Sequence, residues 1–143
     1  MTMTQYLFVY GTLMSASGHP MGVRLAREAW HLGPASMPGR LYDLGKWPGL
    51  VDSALPGDRV HGEVYALPSP EDSFRWLDAY EGIAPGIAVS EYARVQRRVT
   101  LEGGLEVNAW IYLYQWDLEQ ARPLPEGRWR PSHRDAALTP HTL

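Results

Sequence analysis

Cysteine is absent from the 143 residues, which removes disulfides, thiolate zinc sites and cysteine nucleophiles together. No apolar run approaches the roughly 20 residues that a bilayer-spanning helix needs. The start, Met1 to Gln5, is polar and leads into a short apolar run from Tyr6 to Tyr10. It has neither a basic stretch nor a long apolar one, so no signal peptide is expected and the expected location is the cytoplasm. Basic residues are not in excess: 13 Lys and Arg stand against 16 Asp and Glu, a formal charge of −3. Such a balance gives no surface that would draw the chain to nucleic acid or to an anionic membrane. The sequence also lacks a GxSxG elbow, a P-loop and an HExxH pair. Its histidines, at 19, 31, 61, 133 and 141, fall at no metal-ligand spacing. Neither a metal nor a cofactor is expected.

What is present is an ordinary globular composition, with 45% hydrophobic and 20% charged residues in a chain the size of one domain. The reading is a single domain over 1–143, with 118–143 as an irregular C-terminal arm rich in Pro and Arg. Tyr6 to Tyr10 is a continuous β-favouring run that stops at Gly11, as a buried strand would. Met21, Leu25 and Ala29 recur near helical spacing behind Pro20, which suits a helix start. Short segments follow at 31–36 and 39–44, and Trp47-Pro48-Gly49 reads as a rigid loop, with a pocket rim as the second reading. Val60 to Leu67 is a further strand. Ser69-Pro70-Glu71-Asp72 is a helix start with acids at the positive end of the dipole, and Gly82 is the stop, predicting a helix to about Glu81.

From Val89 the period becomes two. Val89, Glu91, Ala93, Val95, Arg97 and Val99 share one face; Ser90, Tyr92, Arg94, Gln96 and Arg98 share the other. Gly103-Gly104 suits a two-residue hairpin turn. The return strand sets Val107, Ala109, Ile111 and Leu113 opposite Trp110, Tyr112, Tyr114 and Trp116. Bulk on both faces is what a closed or strongly curled sheet requires.

One acid is out of place. Phe74, Leu77 and Glu81 lie at i, i+3 and i+7 of the predicted helix, so a carboxylate occupies the apolar stripe. It also falls in the last turn, where the helix dipole opposes a further negative charge. A Glu turned into a poorly solvated pocket there would have its pKa pushed towards the range of proton transfer. A Glu curled out to solvent, or paired with an arginine, fits the same spacing. A second candidate is Tyr10-Gly11-Thr12-Leu13. A glycine turn at a strand end can leave consecutive N–H groups facing a concavity that suits an anion or a developing oxyanion. It can equally be a plain strand-to-loop turn.

These elements come in one order: Tyr-Gly-Thr-Leu near the start, Trp-Pro-Gly about thirty-five residues later, Gly62-Glu63-Val64-Tyr65, Leu77-Asp78-Ala79-Tyr80-Glu81-Gly82, Tyr92-Ala93-Arg94 and Ala109-Trp110-Ile111-Tyr112. The series resembles the gamma-glutamylcyclotransferase-like superfamily, with its AIG2-like and gamma-glutamylamine cyclotransferase branches, over roughly Gln5 to Trp116. The resemblance implies an α+β fold, a small mixed β-barrel flanked by short helices. It implies a reaction in which the α-amine of a gamma-glutamyl amine or peptide attacks its own side-chain carbonyl, giving 5-oxoproline and a free amine. Glu81 would be the catalytic acid/base. Tyr10, Gly11, Thr12 and Leu13 would bind substrate; Tyr92 and Arg94 match a family Tyr-x-Arg pattern that would touch it, with an Arg paired to a nearby acid as the equal alternative. The partner is then a small gamma-glutamyl molecule, and since it carries its own nucleophile the enzyme needs no Ser, Cys or metal. Met14 stands where branches of the family carry a basic residue, and Glu63 reads as structural. A ligand-binding or stress-related AIG2-like module without turnover is the alternative; pure binding has no need of a poorly solvated carboxylate.

Overall fold

A computed structural model describes residues 4–83 and 90–130. β1 (Gln5–Val9) leads through a single 3-10 turn at Ser15–Ser17 to α1 (Pro20–Glu28) and β2 (Trp30–Pro38). β3 (Arg40–Asp43), β4 (Pro48–Val51), β5 (Arg59–Leu67), α2 (Pro70–Tyr80), β6 (Tyr92–Leu101), β7 (Glu106–Tyr114) and β8 (Arg122–Leu124) follow.

Strand pairing runs β1-β5-β2-β6-β7, and β7 then returns to β1, so these five strands close into a ring. Every neighbour pair in the ring is antiparallel except β1–β7, which is parallel and meets at Leu7 and Trp110. The ring is the closed mixed barrel, and β4, β3 and β8 extend from its β7 side.

Closure explains the bulk on both faces of the strands. Phe8, Tyr10, Val60, Val64, Val99, Ala109 and Ile111 fill the barrel. The alternate residues Leu7, Val9, Tyr65, Leu67, Tyr92 and Tyr112 pack outward, where α1 contributes Leu25 and α2 contributes Phe74 and Leu77. β1 therefore reads as an unbroken apolar run because each of its faces is a core.

Three local expectations are corrected. Trp47-Pro48-Gly49 is not all loop, since Pro48 opens β4 and pairs with Asp43. The β6–β7 hairpin has a three-residue loop, 102–104, because Leu101 N–H donates to Leu105 O at 2.7 Å. Both glycines there sit at positive φ, 102° and 101°, as a longer loop with a bulge demands. The stretch after 118 is also less irregular than its composition suggests. Arg122–Leu124 pair with β3, and Trp129 is buried in the barrel core. Val89, His133, His141 and the rest of the arm beyond 130 lie outside the described residues.

Candidate active site

The site forms where β1 ends against the end of α2. Leu77 and Phe74 anchor the apolar face of α2, and Glu81 follows one turn later as the residue that caps the helix. Gly82 adopts a left-handed φ of 80°, which lets Ile83 N–H reach back to Asp78 O at 2.9 Å and stops the helix. The stop fixes the direction of Glu81, which is only 8% exposed.

Glu81 shares a cleft of about 360 Å³, counted with its open mouth, with Tyr10, Gly11, Thr12, Leu13, Trp47, Pro48, Tyr92 and Tyr112. The Tyr-Gly-Thr-Leu segment thus meets the helix-end acid as expected. Gly11 is needed for that meeting: a Cβ there would lie 2.8 Å from Pro48 Cγ, so only glycine lets the loop pass the proline.

A turn closed by Met14 N–H to Gly11 O at 3.0 Å carries Thr12 and Leu13 at its two central positions. The Thr12 carbonyl accepts from Ser17 Oγ at 2.5 Å. In a trans peptide the Leu13 N–H points the opposite way from that carbonyl. Two further ties hold the loop: Thr12 Oγ1 and the Tyr80 hydroxyl are 2.6 Å apart, and Glu63 accepts from Ser15 N and Oγ, both at 2.9 Å. Glu63 is structural, as expected.

The tyrosine hydroxyls of the cleft are all engaged. Tyr10 donates to Tyr112 O at 2.6 Å, Tyr92 to Pro48 O at 2.7 Å, and Tyr112 to Asp78 Oδ1 at 2.7 Å. Burial, first among the causes, raises the pKa of each above the ordinary tyrosine value, and nearby Glu81 adds to the rise. Glu81 itself is pushed up to about 8, first by burial, then by the negative charges of Glu91 and Asp78. Among the described residues it is therefore the one lining group that changes charge near neutral pH. The sequence pointed to burial and the helix dipole; the neighbouring acids are a cause that only folding could reveal.

Arg94 is not brought to the cleft. It pairs with Asp78, Nε to Oδ1 at 2.8 Å, and its guanidinium lies 3.9 Å from the Phe74 ring centroid and 4.7 Å from that of Trp110. It borders a separate open groove with Gln5, Glu71 and Arg75. Its link to the cleft is indirect, through Asp78 and the Tyr112 hydroxyl. Tyr92, two residues earlier, does line the cleft.

Sequence reasoning favoured a rigid turn over a pocket rim for Trp47 and Pro48 and gave Tyr112 and Glu91 no role. Trp47, Pro48 and Tyr112 are walls of the cleft, and Glu91 stands behind Trp47 with its Oε2 3.4 Å from the indole Nε1. A signal for Glu91 existed: it shares a strand parity with Val95 and Val99, an acid in line with barrel-filling residues. Among the described residues no three acidic or histidine side chains converge as a cation site, and no helix is long and apolar enough to cross a membrane.

Comparison with known proteins identifies the family. The family model described as gamma-glutamyl cyclotransferase, AIG2-like matches residues 7–131. The chain is 34% identical to the gamma-glutamylcyclotransferase family protein ytfP of Citrobacter rodentium over 125 residues, 86% of this chain and 93% of that one. The solution structure of ytfP from Escherichia coli is similar with a TM-score of 0.61 and 30% identity, covering 92% of this chain and 99% of the other. YkqA from Bacillus subtilis shares the fold with a TM-score of 0.65 at 23% identity; 89% of this chain matches, and it spans 40% of that longer protein. On the family model and the ytfP relatives together, the chain belongs to the gamma-glutamyl cyclotransferase, AIG2-like family.

Proposed function

We propose that this protein is a gamma-glutamyl cyclotransferase that converts a gamma-glutamyl amine or peptide to 5-oxoproline and the free amine, with Glu81 as its general acid/base. The observation that carries the reading is the buried Glu81, pushed up to about 8 and facing the same cleft as the Gly11–Leu13 turn. A pKa near the working pH suits a group that must both take and return protons.

The substrate's α-ammonium enters beside Glu81 and favours the carboxylate form by opposite charge. Glu81 takes a proton, and the freed lone pair forms the N–C bond to the gamma-carbonyl carbon. The carbonyl electrons move onto oxygen. When that oxyanion collapses, the bond to the departing amine breaks. Two protons leave the ring nitrogen and two reach the departing amine, so Glu81 cycles between carboxylate and acid and ends as it began. Ring closure needs the amine and carbonyl held in contact, which a shaped cleft supplies. The Thr12 and Leu13 N–H groups, at the centre of their turn, are the donors for the substrate's carboxylate or for the oxyanion. Tyr10 and Tyr92 form walls, and Arg94 acts from outside through Asp78 and Tyr112.

Incubation with a panel of gamma-glutamyl amines and peptides should release 5-oxoproline, and N-acetylated versions should be inert because their nitrogen cannot attack. Amine release from an N-acetylated compound would mean hydrolysis by water instead. Compounds that bind without turnover would leave a ligand-binding module.

A further inference from the structure

A second buried carboxylate stands beside the cleft and has no part in the scheme above. Glu91 precedes β6, is 8% exposed, and its main-chain carbonyl is fixed by Gln115 N–H at 2.8 Å. Its Oε2 meets Trp47 Nε1 at 3.4 Å, a long contact. Its Oε1 is buried and has no hydrogen-bond partner. A bare carboxylate oxygen in a poorly solvated place is costly and calls for a cation or a proton.

Trp47 joins the two acids, since its indole lines the cleft that holds Glu81 and its Nε1 touches Glu91. Among the described residues no Lys, Arg or His lines that cleft. Among the described residues, the groups that face Glu81 are Asp78 and Tyr80 from α2, Glu91, Tyr10 just after β1, Tyr92 from β6 and Tyr112 from β7. Those around Glu91 are Trp47, Tyr10, Tyr92 and Tyr114. Arg94 is taken by Asp78. Residues 84–89, which join the two acids in sequence, carry no titratable side chain.

Resting on the cyclotransferase reading, we propose that Glu91 is a positioning residue of the active site: from behind Trp47 it holds the indole as a wall, and its negative charge adds to that of Glu81 in favouring one cation in the cleft, the substrate's α-ammonium. Like charges in a poorly solvated site oppose each other's ionisation. Burial raises Glu91, and its charge in turn is a cause of the rise at Glu81. A negative charge on Glu91 favours the proton on Glu81 while the cleft is empty. The arriving ammonium offsets that repulsion, so Glu81 becomes a base when the nucleophile is in place. In the empty protein the acid rests; the substrate switches it on.

Carboxyl-carbon NMR titration of the glutamate-labelled protein tests the coupling without any need of turnover. In the unsubstituted protein the Glu81 and Glu91 signals should each respond to the other's ionisation. In Glu91→Gln the Glu81 midpoint should fall by roughly one pH unit. The acid limb of kcat/KM should move down with it, and KM for a gamma-glutamyl amine should rise roughly tenfold, more than kcat falls. Glu91→Asp should recover part of both shifts. Independent titration of the two signals, or a Glu81 midpoint unmoved in Glu91→Gln, overturns the proposal even if Glu91→Gln is less stable. If Glu91→Gln does not fold, the two-step titration of the unsubstituted protein decides alone. Coupled titration without 5-oxoproline release would sink the cyclotransferase reading and leave the carboxylate pair; release with uncoupled titration would do the reverse.

Discussion

Two polar clusters share α2, β6 and β7, yet they are built to opposite rules. The outer one sets Asp78 against Arg94 and gives Asp78 a second donor in the Tyr112 hydroxyl, with the guanidinium stacked between Phe74 and Trp110. Each charge there has its partner. The inner one, at the cap of α2 three residues beyond Asp78 and two residues earlier along β6, holds Glu81 beside Tyr92 with no cation in its lining among the described residues. Burial alone does not separate the two, since Tyr112 belongs to both. Pairing does. A carboxylate with a counter-ion holds the fold together. A carboxylate without one is left to titrate, and that is the property a proton-transfer site requires.

The largest expected effect lies in the inner cluster. Glu81→Gln keeps the shape and removes the ionisable group, so 5-oxoproline release should fall by about 10²–10⁴-fold. Its stability should move the other way. The folded pKa lies above the unfolded value, so the folded state holds the extra proton between the two. The contribution of this site is full below about pH 4.5 and is lost as pH rises through about 8. Denaturant midpoints should therefore match at acid pH, with Glu81→Gln the more stable by about 1–3 kcal/mol at neutral pH. An inactive Glu81→Gln that is clearly less stable at neutral pH would make Glu81 a structural acid and erase the contrast between clusters.

The outer cluster should respond in the opposite sense. Arg94→Ala removes an ion pair and two ring contacts at a site about one quarter exposed. Thermal or urea unfolding should show a loss of about 1–3 kcal/mol, with KM changed by less than about threefold. A large rise in KM at unchanged stability would place Arg94 on the substrate, as the Tyr-x-Arg pattern implies, and would merge the two clusters into one site.

Gly11→Ala sharpens the comparison on a smaller scale. The new Cβ would stand 2.8 Å from Pro48 Cγ and 3.0 Å from Pro48 Cδ, and a proline ring cannot swing aside. The loop must shift, so kcat/KM should drop by roughly three- to tenfold with a stability loss of about 1 kcal/mol. Unchanged kinetics would mean that the turn at Thr12 and Leu13 is not part of the binding surface.

Much of this was legible from residue order. The apolar run at Tyr6–Tyr10, the Pro-acid start and Gly stop of α2, and the two-sided bulk of β7 are local patterns, and each gave its element to within a residue or two. The β4 strand was not legible, because Pro48 and Gly49 carry turn chemistry while the pairing that makes them a strand comes from β3 and β7. Trp129 was hidden for a similar reason: a Pro- and Arg-rich stretch has no period to reveal which of its residues enters the barrel.

Glu81 marks the boundary between the two kinds of knowledge. Its spacing from Phe74 and Leu77 determined by itself that an acid would ride on a buried stripe at a helix end, and Gly11 determined where β1 would stop. Periodicity is a property of neighbours in the chain, so it survives without coordinates. Whether that acid would meet a cation, a solvent surface or other acids depends on residues that barrel closure brings together: Tyr10 from β1, Trp47 before β4, Glu91 before β6 and Tyr112 from β7. Only the tertiary structure gave Asp78 to Arg94 and left Glu81 with Glu91, because electrostatic partners are chosen by distance in space, and closing the sheet is what sets those distances.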